Sequence, residues 1–299
     1  MQIGFVGLGR MGGNMVSRLV DREHEVVAFD RDAQALARAE AHGAAPTTSL
    51  EDFVARLEPP RRIWLMVPAG DPVQATIDAL ADLCAPGDLL VDGGNSNFKD
   101  SRRRDAELRE RGLGFCDVGV SGGLWGLEYG YCMMLGGEPE EAVALRPVMD
   151  ALAPTNGWAH VGPAGAGHYA KMVHNGIEYA LMQAYAEGYE LLAAKDIVTD
   201  LPGTFRAWQK GTVVRSWLLD LMVKALDEDP GLASIDDYVE DSGEGRWTVE
   251  EAIANAVPAP AITAALFARF SSREDNSPAM RMVSALRHQF GGHATRPSK

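Results

Sequence analysis

The sequence of 299 residues predicts a doubly wound α/β domain followed by an all-helical one, and three observations carry that reading. Short apolar runs alternate with segments of helical period through the first half of the chain. The first of these runs passes directly into a glycine turn that opens a helix. Beyond Val161-Gly162-Pro163-Ala164-Gly165-Ala166-Gly167 the strand pattern stops and helical patterns alone continue.

Taken in order, the strands are expected at Ile3 to Val6, Val26 to Asp30, Ile63 to Val67, Leu89 to Asp92 and Phe115 to Val118, each a brief run rich in branched and aromatic residues. Between them lie helical segments at Met11 to Asp21, Ala33 to His42, Pro72 to Leu83 and Asp100 to Arg111, the crossovers that parallel strands require. A stretch without proline from about His168 to Lys195 reads as one long helix. Further helices follow at Arg215 to Asp227, Thr248 to Ala256, Ala261 to Phe270 and Ala279 to Phe290. The domain boundary is placed between residues 163 and 164, giving an α/β domain over 1–163 and an all-α domain over 164–299.

Apolar residues at 46% and charged residues at 23% mark an ordinary folded chain. Lys and Arg number 28 against 42 Asp and Glu, a net charge of −14, so the overall field repels nucleic acid and anionic lipid. Neither is expected as a partner, and an anionic substrate would need a local cluster of cations. Cys84, Cys116 and Cys132 are odd in number and lack the spacing of a zinc or redox motif. Met1-Gln2-Ile3 opens a strand pattern rather than a basic leader, and no run of 18 apolar residues follows. A cytoplasmic protein without a metal is the expectation.

The strand Ile3 to Val6 runs into Gly7-Leu8-Gly9-Arg10-Met11-Gly12, the G-x-G-x-x-G pattern in a strand-to-helix context. Gly7 permits the tight turn, Gly9 lets backbone N–H groups approach a pyrophosphate, and Gly12 lets the helix pack on the strand. Asp30 ends the second strand 18 residues later, where an acid takes the adenosine ribose hydroxyls. The same position would also suit a cap of the next helix. Arg31 beside it offers a guanidinium to a 2′-phosphate or to adenine. A Rossmann-type dinucleotide domain is therefore expected, with NAD favoured and NADP possible.

Two glycine loops follow later strands. Asp92-Gly93-Gly94-Asn95-Ser96 places Asn95, both donor and acceptor, at the carboxyl edge of the sheet, although such a sequence also suits a plain turn. Ser121-Gly122-Gly123 is expected in a loop after Phe115 to Val118, with bare N–H groups suited to a carboxylate or simply to flexibility.

On the long helix, at about 100° per residue, His174, Asn175, Glu178 and Tyr179 all fall within about 80° of Lys171. A solvated face also collects charge. This one instead mixes Lys, His, Asn, Glu and Tyr, a varied set of donors, acceptors and proton carriers. Arg246, Arg269, Arg287 and His293 in the helical half are candidates for the cation cluster that the acidic balance demands.

In these motifs, together with Gly167-His168-Tyr169-Ala170-Lys171-Met172-Val173-His174-Asn175-Gly176-Ile177-Glu178-Tyr179 and Phe267-Ala268-Arg269, the sequence resembles the decarboxylating 6-phosphogluconate dehydrogenases of the pentose phosphate pathway, in their shorter bacterial form. The likeness spans essentially the whole chain and falls within the β-hydroxyacid dehydrogenase superfamily. It implies that Lys171 is the catalytic base and Glu178 the acid. Asn95, Ser121, Gly122, Gly123, His174 and Asn175 would hold the sugar acid, and Tyr179, Arg246, Arg269, Arg287 and His293 its phosphate. Gly7, Leu8, Gly9, Arg10, Met11, Gly12, Asp30, Arg31, Val67 and Asn95 would meet the dinucleotide. It also implies a homo-oligomer, dimer or tetramer, with the last arginine and histidine serving their own or a neighbouring subunit. One departure stands out: many relatives have Gly-Thr-Gly-Lys-Trp where this chain has Gly243-Glu244-Gly245-Arg246-Trp247.

A lysine that first accepts a proton needs its pKa lowered, by partial burial or neighbouring positive charge. Two other readings compete. A 3-hydroxyisobutyrate-type dehydrogenase shares the glycine turn and the helical Lys and Asn, but needs neither Glu178 with Tyr179 nor the arginines. A dinucleotide-sensing module without catalysis would not need the assembled Lys171, His174, Asn175 and Glu178.

Overall fold

In the computed structural model, which describes residues 1–275 and 277–291, the chain divides into two compact units, residues 1–174 and 175–299. The first unit is built on one eight-stranded sheet, ordered β3-β2-β1-β4-β5-β6-β7-β8. Its strands are β1 (Gln2–Val6), β2 (Glu25–Phe29), β3 (Ala45–Thr47), β4 (Arg62–Leu65), β5 (Leu89–Asp92), β6 (Gly114–Ser121), β7 (Cys132–Gly136) and β8 (Trp158–Gly162). All neighbours pair in parallel except β6 and β7. The first six strands follow the 3-2-1-4-5-6 order of a dinucleotide fold, with the reversal between β1 and β4.

The crossovers are α1 (Arg10–Val20), α2 (Ala33–Ala41), α3 (Leu50–Ala55), α4 (Asp71–Leu83) and α5 (Phe98–Glu110), followed by the one-turn α6 (Gly126–Tyr129) and by α7 (Pro139–Leu152). Side chains alternate between two buried clusters on the two sheet faces. Phe5, Trp64, Val91 and Cys116 enter one, and Val6, Ile63, Leu65, Leu90 and Phe115 the other. Burial on both faces is why these strands read as continuous apolar runs.

Three strands, β3, β7 and β8, and helices α3, α6 and α7 add to the elements expected from sequence, as does a helix over Leu201–Trp208 in the second unit. Ser121 differs from expectation too: it is the last residue of β6, not part of a loop. Antiparallel pairing with β7, from Asp117 opposite Gly136 to Ser121 opposite Cys132, prolongs the strand past Val118.

Helix α8 (Ala166–Ala193) begins in the first unit and continues into the second. The second unit then holds α9 (Leu201–Trp208), α10 (Trp217–Glu228), α11 (Glu244–Ala254), α12 (Pro260–Ser271) and α13 (Pro278–Gly291), all helical among the described residues. Two small cores hold it. Phe205, Leu219, Val223 and Leu226 pack with Tyr185 and Tyr189, while Tyr179, Ala265 and Leu266 pack with Met182, Val249 and Phe270. No helix among the described residues is long and apolar enough to cross a membrane.

Candidate active site

The carboxyl ends of β1, β2, β4, β5 and β6 open onto one cavity of about 830 Å³ in the first unit. Gly7, Gly9, Arg10, Met11, Gly12, Asp30, Arg31, Val67, Asn95 and Lys171 all line it. Gly7 has φ +94°, a backbone state that side chains disfavour. At Gly12 an added Cβ would lie 2.0 Å from the Gly7 carbonyl oxygen, so only glycine lets α1 start this close to β1. Gly9 caps α1 and faces open space, with no atom within 4 Å of where its Cβ would be. The cradle therefore fits a pyrophosphate laid against the first N–H groups of α1.

Leu8 departs from the expected lining. Its side chain is buried at 2% exposure, and it contributes its backbone N–H, which donates to Asp30 Oδ2 at 2.5 Å. The other Asp30 oxygen accepts from Asp32 N at 2.8 Å. Helix α2 is capped by Asp32, which accepts from Gln34 N, and not by Asp30. Arg31 is exposed at the rim.

The Gly93-Gly94-Asn95 loop is moored from below. Asp92 is fully buried and accepts from Gly94 N at 3.0 Å, Ser96 Oγ at 2.7 Å and Arg104 Nη1 at 2.9 Å. Arg104, on α5 and only 1% exposed, also donates from Nε to Gln74 Oε1 at 3.0 Å. This buried ion pair leaves Asn95 exposed at the cavity.

Lys171 is half-buried in the second turn of α8, and its Nζ donates to the Val120 carbonyl at 2.5 Å. The lysine and the dinucleotide cradle thus share one cavity. Gly122 and Gly123 follow β6 with φ +131° and +50°. His174, one turn beyond Lys171, is exposed.

Sequence reasoning missed part of the lining. Phe29, Leu50, Met66, Pro68, Ala69, Pro72, Ala75 and Thr76 also face the cavity. The signal for the last four is the small-residue turn after β4, with Pro72 in the first turn of α4 and Ala75 and Thr76 one turn later.

In the second unit, Asn175 and Glu178 are half-buried on α8 and Tyr179 is buried. The Tyr179 hydroxyl accepts from Ser242 N at 3.1 Å, and the Arg269 guanidinium lies 3.5 Å from the ring centre. Arg246 is bound through Nε and Nη2 to Asp241 at 2.9 and 3.0 Å, and Arg273 joins the same carboxylate at 2.9 Å. Hydrogen bonds from Arg246, the largest cause, and from Arg273 hold the Asp241 carboxyl well below the usual carboxylate range. Arg273 was not expected from sequence. Its signal is the Arg269 to Arg273 spacing, one helical turn. Arg287 is exposed on α13, and His293 lies outside the described residues.

Two family models cover nearly the whole chain: the NAD binding domain of 6-phosphogluconate dehydrogenase over residues 2–162 and the C-terminal domain of that enzyme over 167–290. A 6-phosphogluconate dehydrogenase of Haloferax volcanii, described as NAD(+)-dependent and decarboxylating, is 48% identical over 295 residues, 98% of each chain. One of the same description from Bacillus subtilis is 38% identical over 286 residues, 90% of this chain and 61% of its own. Among solved structures, the Plasmodium falciparum 6-phosphogluconate dehydrogenase, studied with NADP+ and with 6-phosphogluconate, superposes with a TM-score of 0.83 at 27% identity, over all of this chain and 67% of that one. A Mycobacterium tuberculosis 3-hydroxyisobutyrate dehydrogenase gives a TM-score of 0.72 at 25% identity, over 96% of this chain and 99% of that one.

Proposed function

The chain belongs to the 6-phosphogluconate dehydrogenase family, and from that membership we propose that it oxidises and decarboxylates 6-phospho-D-gluconate to D-ribulose 5-phosphate and carbon dioxide, with NAD favoured over NADP. The observation that carries this reading is Lys171 lining the cavity of the glycine cradle. A sensing module needs the cradle and not the lysine.

When bound, the dinucleotide supplies the hydride acceptor. Neutral Lys171 accepts the proton of the C3 hydroxyl as the alcohol is oxidised. The carboxylate of the resulting 3-keto acid stands β to a carbonyl, so carbon dioxide leaves readily. The Lys171 ammonium then donates to the enolate oxygen that develops, where a cation is worth most. Glu178 delivers a proton to C1, turning the enediol into the ketose. Asn95, Ser121, Gly122, Gly123, His174 and Asn175 hold the sugar acid in this reading, and Tyr179, Arg246, Arg269, Arg287 and His293 its phosphate. Family likeness supports these roles. So does the gathering of Tyr179, Arg246 and Arg269 around one patch of the second unit. A cytoplasmic homo-oligomer serving the pentose phosphate pathway and gluconate use completes the proposal.

The likeness to 3-hydroxyisobutyrate dehydrogenase favours a second reading, simple oxidation of a small hydroxy acid. Purified protein with 6-phosphogluconate and NAD or NADP, followed by absorbance of the reduced dinucleotide and by released carbon dioxide, separates the two. Both signals in equal amounts are expected. Inactivity toward 6-phosphogluconate together with oxidation of 3-hydroxyisobutyrate, without carbon dioxide, would overturn the first reading in favour of the second.

A further inference from the structure

Strand β6 contacts the start of helix α8 at two places three residues apart. At the first, the carboxylate of Asp117, with no exposed surface, accepts from Gly165 N and from His168 N, each at 2.6 Å. At the second, three residues along each element, Lys171 Nζ reaches the Val120 carbonyl. Between them the backbones are pressed together. A Cβ on Gly119 would stand 2.4 Å from Lys171 Cβ, and one on Gly167 would stand 2.5 Å from the Asp117 carbonyl oxygen.

The two N–H groups held by Asp117 flank the start of α8, where N–H groups have no partner within the helix and where negative charge is favoured. A serine or threonine would serve a helix start at much lower desolvation cost than a fully buried carboxylate. Here burial pushes the Asp117 carboxyl up, while His168 and the two N–H groups it holds act the other way. Two short charge-assisted bonds fix both the axial position and the rotation of the first turn, which a single hydroxyl cannot do. Fixing that turn fixes the direction in which Lys171 leaves the helix one turn later.

We propose that Asp117 is a positioning residue for Lys171: by gripping the N–H groups of Gly165 and His168 it sets the register of α8 on β6 and so places the lysine amine in the dinucleotide cavity. The proposal rests on the reading of Lys171 as the proton-transfer group. Ser101 provides the comparison. Its Oγ lies 2.7 Å from His168 Nδ1 in the same buried cluster, yet it holds no backbone N–H of α8.

The test is steady-state kinetics and NAD binding for Asp117→Asn, Ser101→Ala and Lys171→Met in the full chain. In Asp117→Asn one N–H must face an amide NH₂ instead of an oxygen, and kcat is expected to fall about 10- to 100-fold, the scale of an ångström-level misplacement. The KM for 6-phosphogluconate and the affinity for NAD stay near the parent values. Ser101→Ala lowers thermal stability but keeps kcat. Asp117→Ser, whose hydroxyl can hold only one of the two N–H groups, should show the same selective loss of kcat, and decides the matter if Asp117→Asn does not accumulate as folded protein. A kcat within twofold of the parent overturns the proposal, as does a loss of kcat matched by an equal loss of NAD affinity. Near-normal turnover of Lys171→Met overturns the functional reading and this inference together, whereas a dead Lys171→Met beside a fully active Asp117→Asn overturns this inference alone.

Discussion

Asp30 accepts a hydrogen bond from the backbone N–H of Leu8 at 2.5 Å, which ties the acid at the end of β2 into the glycine turn after β1. The residue that would select the ribose is thus also part of the turn that would hold the pyrophosphate. Each carboxylate oxygen has a second lone pair for a ribose hydroxyl.

Asp30→Asn should therefore do two things at once. It loses charge-assisted bonds to the ribose, worth about 1.5 to 3 kcal/mol, and it disturbs the turn through Leu8. The kcat/KM for NAD is expected to fall about 10- to 100-fold on that scale, and the ratio of NAD to NADP to move toward NADP. An unchanged ratio counts against Asp30 as the selector.

Lys171→Met and Glu178→Gln should fail at different steps. Both lose turnover by about 10²- to 10⁴-fold, the usual scale for a positioned acid or base. Single-turnover mixing separates them, because Glu178→Gln still forms the reduced dinucleotide while Lys171→Met does not.

The Asp92–Arg104 pair predicts a stability result. Neither side chain has more than 1% exposure, and they meet at 2.9 Å under the Gly93-Gly94-Asn95 loop. Removing one partner strands a buried charge, at about 3 to 5 kcal/mol. Arg104→Met and Asp92→Asn should each show that loss in urea unfolding, and the double variant should recover part of it. Additive losses would mean that the two charges do not depend on each other.

Some of the fold was legible in sequence because local chemistry and tertiary role agree there. The β1 turn is one case: Gly7 and Gly12 are demanded by backbone geometry alone. The long helix is another, since an uninterrupted run without proline has few alternatives. Other elements gave weak signals. Strand β3 is three residues long and contains Pro46, which an edge position tolerates. Helix α7 carries Pro147 in its interior, which hides it, although Pro139 in its first turn and the Glu138–Glu141 capping box announce its start. Strand β8 has three exposed residues in succession and so lacks an apolar face. At the site, the glycines and Lys171 stand in motifs, but Asp117 and Arg104 act through long-range contacts that no local spacing encodes.

Asp241 gives a prediction in pH. Its carboxyl is lowered by hydrogen bonds from Arg246 and Arg273, so the folded state prefers the ionised form more than the unfolded chain does. Such a group stabilises the fold above the unfolded carboxylate value, about 3.9, and that contribution fades as pH falls toward the lower folded value. Asp241→Asn should lower the Tm at pH 7 by roughly 3 to 12 °C, the equivalent of about 1.5 to 3 kcal/mol for one lost charged hydrogen bond. The gap from the parent should stay constant down to about pH 5 and narrow below about pH 4. A gap that widens in acid would contradict the assignment.

The chain carries a net charge of −14, yet the proposed substrate bears a carboxylate and a phosphate, so cations must be gathered locally. Arg246 and Arg273 are already engaged with Asp241, which neutralises part of what they could offer. Arg287, exposed on α13 with a planar fork suited to phosphate, has the chemistry to supply the missing charge. If it does, Arg287→Ala raises the KM for 6-phosphogluconate about 10- to 100-fold, the equivalent of about 1.5 to 3 kcal/mol for a charged hydrogen bond, and leaves the KM for NAD unchanged. Mixing inactive Lys171→Met chains with Arg287→Ala chains then asks whose phosphate it holds. Hybrids regain part of the parent activity if the arginine serves a neighbouring subunit and none if it serves its own. An unchanged substrate KM in the correctly assembled variant means that the arginine simply faces water.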